Sequence, residues 1–122
     1  MKKKILCVDD ELNILNILRE LLIPEGYDIE LAKDAREFQS KAVSFKPDLI
    51  LLDIMLGDKN GVQLLDDLIK KGHCLQTPVI VLSGLVQEHQ ISLAGAGRKF
   101  AMLAKPFKPA ELLGQIKILL AG

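Results

Sequence analysis

Short unbroken apolar runs alternate along this chain with stretches whose apolar residues return every three or four positions. Ile5-Leu6-Cys7-Val8 is the first run, and the acids Asp9-Asp10-Glu11 stop it. A run of that length without alternation predicts a strand buried on both faces. Ile14, Ile17, Leu18 and Leu21 then follow the spacing of a helix lying on a sheet, and Pro24 and Gly26 end it. Residues 27–31 alternate apolar and polar with period two, the pattern of a half-exposed strand near a sheet edge. Asp34 is placed to cap a second helix with a narrower stripe of Ala35, Phe38 and Ala42, which Lys46-Pro47 terminates.

Asp48-Leu49-Ile50-Leu51-Leu52-Asp53 is the central run, four aliphatics between two aspartates. Gly57-Asp58-Lys59-Asn60-Gly61 is turn chemistry, after which Val62, Leu65 and Ile69 restore helical spacing to about Lys71. His73 falls in the next connection without a second metal-type residue at useful spacing, so it reads as an exposed loop residue. Residues 77–82 form a fourth strand ending at Ser83-Gly84. The fourth helix has the thinnest pattern, with Ile91 and Ala94 for its core and Gly95 and Gly97 lowering its propensity. Residues 100–104 make a fifth strand ending at Lys105-Pro106, and Leu112, Leu113, Ile116, Leu119 and Leu120 close the chain with an amphipathic helix.

Strand and helix alternating five times predict an α/β fold: a (βα)5 doubly wound, five-stranded parallel sheet with helices on both faces, in one domain over residues 1–122. The order 2-1-3-4-5 puts the alternating second strand at an edge and the first and third strands together at the centre.

Composition narrows the function classes. Sixteen basic residues balance sixteen acidic ones, which gives no support to nucleic-acid binding; Lys2-Lys3-Lys4 reads as a solvated lead-in to the first strand. Cys7 and Cys74 fit no metal or redox spacing, and Cys7 is a small core residue. No apolar segment approaches the roughly 18 residues of a membrane span, and no signal-peptide run opens the chain, so the expectation is a soluble cytoplasmic protein.

The topology then brings distant polar residues together. Ligands of open parallel sheets bind beyond the carboxyl ends of the strands where the winding reverses, and Asp9, Asp10 and Asp53 lie at those ends. Alone, Asp53 could be a turn cap, Ser83 a turn residue and Lys105 a surface lysine. Sharing one rim argues against all three readings at once. Converging carboxylates repel unless a divalent cation joins them, and oxygen ligation with room for water suits Mg2+. A carboxylate nucleophile beside Mg2+ and a lysine is suited to accept a phosphoryl group, with the Ser83 hydroxyl ready to bond a phosphoryl oxygen.

Those residues also carry a resemblance. Val8-Asp9-Asp10, Asp53-Ile54-Met55 with Gly61 eight positions past the acid, Ser83-Gly84 and Lys105-Pro106-Phe107 together resemble the receiver domain of two-component response regulators. The resemblance implies Asp53 as phosphoacceptor, Asp10, Asp53 and the Met55 backbone carbonyl as direct Mg2+ ligands, and Asp9 acting mainly through water. It implies Ser83 as switch hydroxyl, Lys105 as the cation that binds the phosphoryl group, and a cis Lys105-Pro106 peptide. A sensor histidine kinase or a histidine phosphotransfer protein would be the donor, and small acyl phosphates could replace it in vitro. Such a domain is not a conventional turnover enzyme, although it catalyses its own phosphorylation and autodephosphorylation. Signalling would pass through the fourth helix, fifth strand and fifth helix to a partner or an output domain. A homodimer formed on phosphorylation is compatible with this, and so is either a stand-alone regulator or the receiver of a longer protein.

The departures are specific. Met102 stands where the family usually carries the aromatic switch residue, and Gly57 stands where many members have proline. Met55 and Leu85, which flank the acceptor and the switch hydroxyl, are apolar and are expected to hinder attacking water and lengthen the life of the phosphoryl group. A flavin-binding domain of this fold would want a phosphate cradle after the first strand, where Asp9-Asp10-Glu11 repel phosphate. A haloacid-dehalogenase-type phosphatase needs a second acid where Met55 stands. A receiver-like module that binds partners without phosphorylation usually lacks an acid or the lysine, and both are retained.

Overall fold

A computed structural model of the chain describes residues 2–84 and 99–121. The expected fourth helix, with Ile91, Ala94, Gly95 and Gly97, lies outside the described residues, as does Leu85. The main sheet contains β1 (Lys4–Val8), β2 (Asp28–Ala32), β3 (Leu49–Asp53), β6 (Val79–Ser83) and β7 (Phe100–Ala104). All neighbours pair in parallel in the order β2-β1-β3-β6-β7, which is the predicted 2-1-3-4-5 winding.

The unbroken apolar runs are explained by a core on each side of the sheet. Leu6, Val8, Ile50 and Leu52 point into one cluster with Phe38 and Leu65; Ile5, Cys7, Leu49 and Leu51 point into the other with Leu18 and Ile116. The first cluster is covered by α2 (Ala35–Ser44) and α3 (Gly61–Lys70), the second by α1 (Leu12–Leu22) and α4 (Pro109–Leu120). Successive strand residues face opposite sides, so a strand covered on both faces has no polar position to spare. Cys7 is fully buried there, and burial pushes its thiol far above the usual range.

Local signals set the helix ends. Asp34 caps α2 by accepting the Glu37 N–H at 2.8 Å, as its position predicts, and Asn60 caps α3 by accepting the Gln63 N–H at 3.0 Å. Pro24 sits in a short 3-10 turn (Ile23–Glu25) that Gly26 ends with a left-handed φ of 93°.

Three expectations need correction. Of the stripe predicted for α1, Leu18 is buried and Ile14 and Leu21 pack at the edge of the core, but Ile17 is exposed, because the face on the sheet is centred on Leu15, Leu18 and Leu22. His73 is half-buried rather than exposed, with its N–H bonded to the Leu68 carbonyl at 2.9 Å in the turn after α3. The stretch read as simple turn chemistry is a small hairpin, β4 (Met55–Leu56) against β5 (Lys59–Asn60).

Candidate functional site

The register of β1 on β3 decides where the acids meet. Val8 pairs with Leu52, so the next residues, Asp9 and Asp53, leave the sheet side by side. Asp9, Asp53 and Ser83 are the buried polar side chains among the described residues, and all three stand at the carboxyl ends of central strands. Asp9 is only 1% exposed. Its charge is compensated at both oxygens: Oδ1 accepts the Glu11 N–H at 2.9 Å and Oδ2 accepts Lys105 Nζ at 2.7 Å.

Lys105 arrives from the far side of the sheet. Its N–H donates to the Ser83 carbonyl at 2.8 Å, which carries the β6–β7 ladder one step beyond the paired Ser83 and Ala104. The following peptide to Pro106 is cis, in accord with the resemblance. From there Nζ also lies 3.4 Å from Asp53 Oδ2 and 3.9 Å from Glu11 Oε1. The side chain is 13% exposed, so Lys105 is no ordinary surface lysine. Burial opposes its charge, but the hydrogen bond and attraction of Asp9, helped by Asp53 and Glu11, hold its pKa above the usual lysine value.

Asp53 is held in the opposite sense. Burial first, then the neighbouring Asp9 charge, pushes its carboxyl group up to about 6, against the pull of Lys105 and a hydrogen bond from the Met55 N–H. Asp10 is exposed and accepts the Gly57 N–H through Oδ2 at 3.0 Å. One oxygen from each of Asp9, Asp10 and Asp53 lies within 4.8 Å of the others. Three ionised acids against one ammonium leave a net charge of minus two (−3 + 1), and the donors are all oxygen. That is the donor set a hard divalent cation prefers, and the exposure of Asp10 leaves room for water ligands.

Gly61 explains how α3 can begin so close to the acid. Its N–H donates to the Ile54 carbonyl, and a Cβ there would be driven into the Asp53 carbonyl oxygen and within 3.1 Å of the Leu52 side chain. Met102, on β7, pairs with Val81 of β6 and is half-buried against the α2/α3 core. Met55 is 54% exposed on the hairpin beside Asp53. Sequence reasoning brought every one of the acids, Ser83 and Lys105 to the same rim. It missed the Gly57 amide on Asp10 and the reach of Lys105 to Glu11, since a backbone donor leaves no mark in residue type and Glu11 looked like part of an acidic strand end.

A family model for the response regulator receiver domain matches residues 5–117. The chain belongs to this family. It is 36% identical over 120 residues to the alkaline phosphatase synthesis transcriptional regulatory protein PhoP of Bacillus subtilis, covering 98% of this chain and 49% of that protein. It is 33% identical over 120 residues to the response regulator MprA of Mycolicibacterium vanbaalenii, covering 98% and 51%. This receiver thus spans about half the length of the curated relatives it matches. Among solved structures, a CheY-like receiver domain protein from Methanospirillum hungatei is 30% identical with a TM-score of 0.85, over 99% of this chain and 95% of that one. The receiver domain of sensor histidine kinase PA1611 from Pseudomonas aeruginosa shares the fold, at 23% identity and TM-score 0.84 over the whole of both chains; it was solved with magnesium in its active-site cleft. The receiver is a signalling domain of two-component systems rather than a conventional enzyme. No described helix is long and apolar enough to cross a membrane.

Proposed function

We propose that this receiver takes a phosphoryl group onto a carboxylate oxygen of Asp53 from the phosphohistidine of a sensor histidine kinase or phosphotransfer protein. The observation that carries the reading is the position of Lys105, 2.7 Å from Asp9 and 3.4 Å from Asp53, over a cluster of acids whose oxygens lie within 4.8 Å. Asp10, Asp53 and the Met55 carbonyl would hold Mg2+ directly and Asp9 through water. When bound, the ion supplies Lewis-acid neutralisation of charge on the transferring oxygens.

The chain's own groups do the rest. Asp53 presents an oxygen as nucleophile, and the phosphorus–nitrogen bond of the donor breaks as the new phosphorus–oxygen bond forms. Lys105 shifts from Asp9 towards the added phosphoryl oxygens, which exchanges one anionic partner for another. The Ser83 hydroxyl bonds a second phosphoryl oxygen and so draws the end of β6 towards the site. Met102, pressed against the α2/α3 core from the neighbouring strand, then repacks in the role the family usually gives to an aromatic ring. The face formed by β7 and α4 transmits the change to an output domain or a separate protein in the cytoplasm, with or without dimer formation. Met55, an exposed apolar side chain two residues past the acceptor, slows attack by water and hence autodephosphorylation. Replacing Met55 by Asn is expected to speed phosphoryl loss; an unaltered rate would refute that part.

Intact-mass analysis after incubation with acetyl phosphate and Mg2+ tests the whole reading. Wild type is expected to gain one phosphoryl group that hydroxylamine removes, and Asp53→Asn to gain none. No gain in wild type would overturn it and leave a module that binds partners without phosphorylation.

A further inference from the structure

The loop joining β3 to α3 holds two different acids through its backbone. The Met55 backbone amide acts to lower the pKa of the Asp53 carboxyl group, and two residues later Gly57 donates its N–H to Asp10 Oδ2 at 3.0 Å. The Met55 carbonyl, the third direct ligand in the reading above, lies in the chain between these two amides. We propose that Gly57 is a positioning residue for the metal site: its amide fixes one oxygen of Asp10 and leaves the other to the cation. The inference rests on the proposed metal reading and adds to it the group that orients an otherwise exposed ligand.

The local conformation shows why a glycine does this. Residues 57 and 58 form the two-residue loop of the β4–β5 hairpin, with Leu56 opposite Lys59. Gly57 has φ of +62°, whereas Asp58 is not among the left-handed residues, the combination of a type II′ turn with glycine at its first central position. The amide at that position lies outside the hairpin ladder and needs a partner elsewhere. Leu56, 3% exposed, anchors the hairpin in the α2/α3 core, so the amide is delivered from a fixed base. A solvent-exposed carboxylate would otherwise rotate freely, and a ligand oriented by a second group binds metal with less ordering cost.

Two measurements test this. In metal-free, nitrogen-15-labelled protein, Asp10→Ala is expected to move the Gly57 amide proton upfield and speed its exchange, because a charge-assisted bond is lost; an unmoved resonance would overturn the proposal. In calorimetric titrations with Mg2+, semisynthetic protein carrying glycolic acid at position 57, which replaces the N–H by an ester oxygen and leaves φ free, is expected to bind about tenfold more weakly. Gly57→Ala strains the same φ but keeps the donor, so it should lower stability in chelator while retaining most of the affinity. Equal losses of affinity in the two variants would show that the amide is not responsible. Should the ester variant fail to fold by circular dichroism, the resonance of Gly57 decides. Wild type that binds no Mg2+ while Asp10→Ala still moves the Gly57 amide would refute the metal reading and leave the Gly57–Asp10 bond standing.

Discussion

Asp48 and Asp53 bracket the same strand, one entering β3 and one ending it, and they serve opposite purposes. At the amino end, Asp48 Oδ2 accepts the Lys4 N–H at 2.8 Å while its own N–H donates to the Lys4 carbonyl at 2.7 Å. Both bonds go to one residue, and they pin β1 to β3 in register. At the carboxyl end, Asp53 faces a second acid, a third within 4.8 Å and a lysine that prefers the neighbour. An acid whose bonds are all to backbone is a fastener. An acid crowded by other acids stores repulsion that only a cation or a proton can relieve. A groove of about 370 Å3 lies at the amino end, lined by Val43, Lys46, His73 and Leu75 among others, without converging acids.

The sharpest contrast is chemical. With acetyl phosphate and Mg2+, Asp53→Asn is expected to abolish phosphoryl incorporation, whereas Asp48→Asn should retain it in full, both read by intact mass. Loss in the Asp48 variant would mean that the two ends are not independent.

Next comes the compensating charge. Lys105→Met leaves Asp9 and Asp53 facing each other without a cation, and stripping one partner from a buried ion pair costs about 3 kcal/mol. Urea melts in chelator should show that loss, and saturating Mg2+ should restore most of it by substituting for the ammonium. A deficit that persists in Mg2+ would make Lys105 chiefly a packing residue.

The acid pair at the carboxyl end also makes a pH signature. Folding raises the Asp53 carboxyl group from 3.8 to about 6, so between those values the folded chain holds a proton that the unfolded chain has released. Its contribution to stability is complete below 3.8 and is lost as pH rises through about 6. Asp53→Asn removes the charge for good. Without metal it should be more stable than wild type by roughly 2 kcal/mol at pH 8, with the gain vanishing near pH 4. Equal stability at both pH values would show that Asp53 is not strained by its neighbours.

The sequence made one end of this molecule far easier to read than the other. The runs of β1 and β3 stop at acids, and an acid ending an unbroken apolar run is conspicuous; with the winding order, that alone brings Asp9, Asp10, Asp53, Ser83 and Lys105 to one rim. The centre of the α1 face was harder, since Ile14, Ile17, Leu18 and Leu21 fit a helical period nearly as well as Leu15, Leu18 and Leu22, and only packing on the sheet leaves Ile17 outside. The β4–β5 hairpin and the Gly57 amide were hidden for a different reason. They depend on backbone groups and on a φ that Gly permits but does not demand.

Asp48 supplies the smallest and cleanest effect. Asp48→Ala keeps the backbone donor to Lys4 but deletes the side-chain acceptor, so one hydrogen bond between β1 and β3 is lost at a half-buried site. The expected cost is about 1 kcal/mol, the net value of such a bond, visible as a lower urea midpoint with an unchanged slope. Mg2+ affinity should stay at the wild-type value, because the register between Ile5 and Leu49 through Val8 and Leu52 is also held by the ladder itself. A matching drop in Mg2+ affinity would mean that the amino-terminal fastener sets the spacing of Asp9 and Asp53 along the full length of the strands, and the two ends of β3 would then have to be treated as one device.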